Sequence, residues 1–143
     1  MALAPRYWDT DATITWMNAD GTWTGDNRSV VLALPRQAIS ASGNTATFEQ
    51  TSLKGLRFQN VYVDVTAVTG TLPTMDAVYQ TSPDKGATWY DHPDGVFAQL
   101  ATTGREGRVI NSPGKYWRIK YDLDGTTPVF TMGIDVQNAL NTR

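Results

Sequence analysis

A chain of 143 residues, 41% of them hydrophobic and 18% charged, has the length and balance of one folded domain, burying roughly two-thirds of the surface its unfolded form exposes. Twelve Lys and Arg against fourteen Asp and Glu leave a formal charge of −2, which argues against a nucleic-acid binder built on many phosphate contacts. The lack of cysteine excludes a disulfide framework and thiolate metal sites, and no run approaches the ~18 apolar residues of a membrane-spanning helix.

Met1 to Asp9 has no apolar stretch of the signal-peptide kind, so synthesis in the cytoplasm is the expectation. Residues 1–37 are set apart as an N-terminal arm or short hairpin extension, rich in Gly, Asp and Asn and holding three of the five tryptophans, Trp8, Trp16 and Trp23. Thr13–Trp16 and Thr22–Thr24, separated by Asn18-Ala19-Asp20-Gly21, predict a hairpin, which would be marginal alone in water. Two readings stay open: the aromatics pack on the chain's own domain, or Tyr7, Trp8, Trp16 and Trp23 anchor the arm on another subunit, as Trp and Tyr commonly do at interfaces. Val30 to Leu34 reads as a short apolar strand stopped by Pro35.

Residues 38–143 form the domain proper. After the loop Ser40–Asn44, Thr45–Glu49 is its first strand. The organising stretch is 61–89: Val61, Val63, Val65 and Ala67 alternate with Tyr62, Asp64 and Thr66, and beyond Gly70–Thr74 the alternation resumes at Met75, Ala77 and Tyr79. Period-two alternation between Gly, Pro and Asp breakers predicts antiparallel strands with one face on a core and one in water. A change of parity at Gln59–Asn60 predicts a bulge. Val96–Leu100 and Arg108–Ile110 have hairpin-like spacing. Trp117, Ile119, Tyr121 and Leu123 then share one strand face, as do Phe130, Met132, Ile134 and Val136, with Val136–Leu140 a candidate for an added helical turn. Eight or so short strands between turn signals predict an all-β, antiparallel β-sandwich, jelly-roll-like, with the N-terminal extension attached. One internal echo stands out: Gly70-Thr71-Leu72-Pro73-Thr74-Met75 matches Gly125-Thr126-Thr127-Pro128-Val129-Phe130. Proline cannot donate to a ladder, so each copy is expected where a strand begins, at two equivalent corners of the sandwich.

Few residues suggest chemistry. Ser82-x-Asp84-x-Gly86-x-Thr88-Trp89 has the fixed positions of the Asp-box of sialidase-type propellers, where the motif staples a hairpin away from the catalytic site. Asp84 is expected to accept backbone N–H bonds, Gly86 to supply a positive φ and Trp89 to pack beneath, giving a structural turn. The single histidine, His92, excludes a His-rich metal site; with Asp91 and Asp94 it lies in a segment read as a solvent-exposed turn, without the calcium-loop pattern. There is no nucleophile elbow, no phosphate loop, no dinucleotide fingerprint and no acid pair singled out for glycoside hydrolysis. No cofactor is expected. Trp89, Tyr90, Trp117 and Tyr121 are candidates for a carbohydrate groove, although Trp89, Trp117 and Tyr121 fall on the apolar parity of their strands, where core is the simpler assignment.

The runs Val63–Asp76, Val78–Asp84, Thr88-Trp89, Gly114–Arg118 and Gly125–Phe130 resemble those of small β-sandwich virion structural proteins of tailed bacteriophages. The likeness covers residues ~40 to 137, carries no catalytic motif and leaves the first 37 residues unmatched. It implies a non-catalytic head decoration, or cement, subunit located in the virion after synthesis in the host cytoplasm. Its implied partners are the major capsid protein and other copies of itself, with a trimer favoured, and no direct nucleic acid or membrane contact. Neck or tail placement, and a carbohydrate-binding or host-surface adhesion module on the virion, are the alternatives.

Overall fold

The computed structural model describes residues 14–16, 30–50 and 56–140. Among them are eight strands: β1 (Ile14–Trp16), β2 (Val30–Ile39), β3 (Gly43–Asn44), β4 (Phe48–Gln50), β5 (Leu56–Ser82), β6 (Tyr90–Val96), β7 (Gly104–Asn111) and β8 (Tyr116–Leu140). All pairings are antiparallel and the ladder is continuous, an all-β fold as the alternation predicts.

Continuity comes from two strands far longer than the short ones expected. β5 has 27 residues and β8 has 25, and they pair from Leu56↔Leu140 to Ser82↔Tyr116. The two Gly-Thr-x-Pro copies lie side by side in the middle of this ribbon, with Thr71 opposite Thr126 and register breaks on either side of Thr71. Each copy bends its strand by the same device: Gly70 and Gly125 have φ of 114° and 111°, and Leu72 and Thr127 have φ of 49° and 45°. A Cβ on Gly70 would lie 2.8 Å from the Thr127 carbonyl oxygen, and one on Gly125 would lie 2.6 Å from that of Leu72. Glycine is required on both strands because the two backbones touch there.

Past the corner the ribbon folds back on itself. Tyr79 donates its hydroxyl hydrogen to Gln59 Oε1 at 2.6 Å, although the two lie 20 residues apart on one strand; extended, that length would span about 65 Å. One layer is therefore β2, the C-terminal half of β8, the N-terminal half of β5 and β7. The other holds β1, β4, β3, the N-terminal half of β8, the C-terminal half of β5 and β6. Strands that switch layers at bends are a known way to close a sandwich at its corners.

The inward residues of both layers form one core. Val61, Val63 and Val65 meet Met75, Ala77 and Tyr79, and Trp117 and Ile119 meet Phe130, Met132, Ile134 and Val136. Side chains of this kind contribute roughly 1.5–3 kcal/mol each when fully buried. Trp117 stacks between Phe48, at 4.5 Å and 22°, and Tyr79, at 5.5 Å and 17°, joining β4, β8 and β5.

Several local expectations change. Gln59 keeps the inward parity of Val61 and is fully buried, so no bulge lies at Gln59–Asn60; the register break against β8 falls between Leu56 and Phe58. Gln59 is tolerated inside because its amide donates to Asn138 Oδ1 at 2.8 Å and accepts from Tyr79, while Asn138 also donates to Gln50 Oε1 at 3.1 Å. Residues 136–140 continue β8 as strand, with no helical turn. Residues 97–99 are not strand, and β7 pairs with β5 in place of the expected hairpin partner. Position 37, the sequence-based end of the extension, lies inside β2, whose Ala33 and Leu34 are core residues.

Candidate functional site

Tyr7, Trp8 and Trp23 lie outside the described residues. Trp16 ends β1, its backbone opposite Phe48 of β4.

The Ser82–Trp89 segment is a turn built on one carboxylate. Asp84 Oδ1 accepts the Thr88 N–H at 2.8 Å and the Ser82 hydroxyl at 2.7 Å, and Oδ2 accepts the Thr88 hydroxyl at 2.6 Å. Ser82 Oγ in turn accepts the Gly86 N–H at 2.7 Å. Lys85 and Gly86 take φ of 63° and 98°, the left-handed conformations such a turn needs. The Thr88 hydroxyl and N–H, with Ser82, stabilise the charged carboxylate and pull its pKa down to about 2. Trp89 is half-buried, its ring covered by the Arg118 guanidinium at 4.3 Å. Arg118 also donates to Gln80 Oε1 at 2.9 Å, and Gln80 donates to Asp91 Oδ1 at 2.8 Å. Asp84 and Gly86 are thus hydrogen-bonded within the turn, and the Trp89 ring lies against it, 3.4 Å from where a Cβ on Gly86 would be.

Tyr90–Gly95, expected to be an exposed turn, belongs to β6. Val78 pairs with Val96 and Gln80 with Asp91, so residues 92–95 bulge out opposite Tyr79. Gly95 is needed there, because a Cβ would sit 2.6 Å from that of Tyr79. The bulge bridges the layers. His92 Nδ1 accepts the Asp94 N–H at 3.1 Å, which leaves the proton on Nε2 to donate to the Ser112 carbonyl at 3.2 Å. Asp94 Oδ2 accepts the Asn111 N–H at 3.1 Å. The His92 ring meets Tyr79 edge-on at 5.8 Å. Neither Asp91 nor Asp94 bonds the imidazole through its carboxylate, so the trio lacks the orienting contact that a His–Asp catalytic pair requires. Among the described residues no cluster of three or more His, Asp or Glu is placed to hold a metal ion.

Of the aromatics considered for a groove, Trp117 and Tyr121 are in the core, Trp89 is under Arg118, and Tyr90 is 60% exposed. Tyr90 borders an open cleft of about 390 Å³, lined also by Thr81, Ser82, Pro83, Gly114, Lys115 and Tyr116. Lys115 lies 3.8 Å from Glu49, which also accepts the Tyr116 hydroxyl at 3.2 Å. Pattern reading missed the cleft because it forms where the 112–115 turn meets the end of β5, two segments distant in sequence.

On the opposite outer face, Asp64 of β5 binds Arg36 of β2 at 2.7 Å and Arg105 of β7 at 3.2 Å. Partial burial raises its pKa, but the hydrogen bonds from the two guanidinium groups outweigh that and hold it below the usual carboxylate value.

No family model matches the chain, and no curated protein matches it. Among solved structures the chain is similar to the N-terminal endo-1,4-beta-D-xylanase 10B of Clostridium thermocellum, in a crystal structure of its CBM22-1 and GH10 modules complexed with xylohexaose. The likeness has 14% identity, a TM-score of 0.46 and covers 96% of this chain, which spans only 28% of that one. The carbohydrate-binding module CBM6cm-2 from Cellvibrio mixtus lichenase 5A, in complex with cellotriose, is matched at 9% identity and a TM-score of 0.27, over 91% of this chain and 88% of that one.

Proposed function

We propose that this chain is a non-catalytic virion structural protein of a tailed bacteriophage, a capsid decoration subunit that stabilises the head by bridging neighbouring capsomers. Besides the resemblance of its strand-and-turn pattern, the observation that supports this reading is the folded ribbon itself. Two adjacent strands run paired through both layers, so the layers are joined by a hydrogen-bonded ribbon and not by loops alone. A cement subunit needs such a body: it stabilises the assembled shell by binding that state alone, and the gain is lost if the subunit deforms under load. The side chains that first suggest chemistry, Asp84, His92 and Asp94, serve as turn and layer clips.

Image reconstruction of intact particles tests the reading, with density for the sandwich expected on the outer head surface at sites between capsomers. Density confined to the neck or tail, or none, would overturn it. The leading aromatics are tested separately by deleting residues 1–13, which removes Tyr7 and Trp8, and by Trp23→Ala. A deletion to 37 would also remove most of β2. Loss of attachment with an unchanged unfolding midpoint supports the anchoring role, and unchanged occupancy on shells refutes it.

The exposed Tyr90 beside its cleft favours a second reading, a carbohydrate-binding module on the particle, because an aromatic face next to hydroxyls is a usual sugar platform. Glycan binding that Tyr90→Ala removes without changing particle stability would favour it.

A further inference from the structure

The sandwich has several free edges, and most are blunted. Among the described residues, β2 carries Pro35 and two register breaks, β6 carries Pro93 within its bulge, and β1 and β3 are only three and two residues long. β7 differs. Its eight residues pair with β5 from Phe58↔Asn111 to Val65↔Gly104 without a break and, among the described residues, have no strand on the other side.

What guards this edge is charge. Glu106 and Arg108 stand opposite the core residues Val63 and Val61, so they point toward the interlayer side of the sheet. Neither has an ion pair or side-chain hydrogen bond among the described residues. Inward-pointing charges repel a generic strand. They suit one partner, because Glu106-Gly107-Arg108 is self-complementary when read antiparallel about Gly107.

We infer that β7 pairs with β7 of a second copy of this chain across a twofold axis at Gly107. The clip at its end sets the hydrogen bonding. Asn111 turns its N–H away from β5 to Asp94, so Arg105, Gly107 and Val109, at the same strand parity, also present N–H and C=O groups at the free edge. Gly107 then bonds Gly107 of the second copy, and Arg105 bonds its Val109. Glu106 falls opposite Arg108 in the non-hydrogen-bonded pairs, where side chains approach most closely. Gly107 also leaves room on the outer face. The Tyr62 ring lies against it, 3.3 Å from where a Cβ would be, and Tyr62 and Val109, 45% and 49% exposed, would be covered as the two outer layers join into one sheet. This assembly is twofold, where the resemblance to decoration proteins implies a trimer.

Sedimentation of the full chain over a range of concentrations reads the pairing. Wild type is expected to reach the mass of a dimer, and Glu106→Arg and Arg108→Glu, each placing like charges opposite one another, are each expected to weaken association by about tenfold. Mixing these two variants should restore dimers, as heterodimers only, and the double swap Glu106→Arg with Arg108→Glu should restore the homodimer. Hydrogen exchange on wild type gives a check that needs no variant: the amides of Arg105, Gly107 and Val109 should slow as concentration rises. A monomer at every concentration, a trimer whose mass ignores both charge changes, or concentration-independent exchange would overturn the pairing.

Discussion

Substitution of Gly125 by alanine tests the folded ribbon most directly. At φ of 111° an alanine is strained by about 1 kcal/mol. Its methyl would also lie 2.6 Å from the Leu72 carbonyl oxygen and 2.9 Å from that of Thr71. Both are backbone atoms of the opposing strand and cannot swing aside as a side chain would. Relieving such an overlap costs about 1–3 kcal/mol. The total of about 2–4 kcal/mol corresponds to a fall in Tm of about 6–12 °C for a chain of this length. Two other glycines calibrate the result. Gly86 shares the positive φ, at 98°, but its Cβ would meet only the Trp89 ring, at 3.4 Å, so Gly86→Ala should cost about 1 kcal/mol. Gly104 also has a positive φ, 158°, with nothing within 4 Å of its Cβ position, so Gly104→Ala should cost only the backbone strain, about 1 kcal/mol. Urea and thermal denaturation followed by tryptophan fluorescence would rank the three. If Gly125→Ala costs no more than Gly86→Ala, the corner is not the tight strand crossing described above. If its transition splits in two, the layers do not unfold as one unit.

Two further tests address buried and turn hydrogen bonds. Tyr79→Phe leaves Gln59 Oε1 without the hydroxyl that donates to it and should cost about 1–3 kcal/mol at neutral pH by chemical denaturation. Burial raises the Tyr79 pKa well above its usual value, against a weaker opposing hydrogen bond from the Gly114 backbone. A raised folded-state pKa means that this stabilisation is complete below about pH 10 and is lost as the pH climbs past it, because the unfolded chain ionises first. The variant should therefore lose stability less steeply above that pH, while the slope that Tyr116 and Tyr121, whose pKa values are also raised, contribute is kept; an identical slope would refute the assignment. Asp84 has the opposite sign. Its pKa is depressed to about 2, so the turn's order is present above about pH 4, the unfolded carboxylate's range, and fades as pH falls toward 2. Trp89 emission should report that change in the wild type and be flat over the same range in Asp84→Asn.

The strands that could be read from the sequence are those whose inward positions are apolar at every second residue: Val61 to Val65, Met75 to Tyr79, Trp117 to Tyr121 and Phe130 to Val136. The repeated Gly-Thr-x-Pro also pointed to paired corners, but pattern alone could not reveal that the copies sit against each other, because that depends on pairing between residues 55 apart. Gln59 misled the parity reading because an inward amide looks like an outward residue until its partners, Tyr79 and Asn138, are in place. Residues 92–95 looked like an exposed turn because Pro, Asp and Gly serve bulges as well as turns. At the candidate site, the Asp84 turn is local and its donors lie within six residues, whereas the Tyr90 cleft and the β7 edge exist only after distant segments meet.

The position of β8 has a consequence for how the molecule is made. This strand, the last among the described residues, lies at the centre of both layers, with β5 on one side and β2, β3 and β4 on the other, so its residues supply ladder partners for all four. A nascent chain emerging from the ribosome therefore has no complete sheet to close until β8 itself has emerged. Folding is then expected to wait for β8 and to be slow, on the millisecond-to-second scale of proteins dominated by distant pairings, and a premature stop anywhere upstream of Phe130 would leave at least one layer without its middle strand.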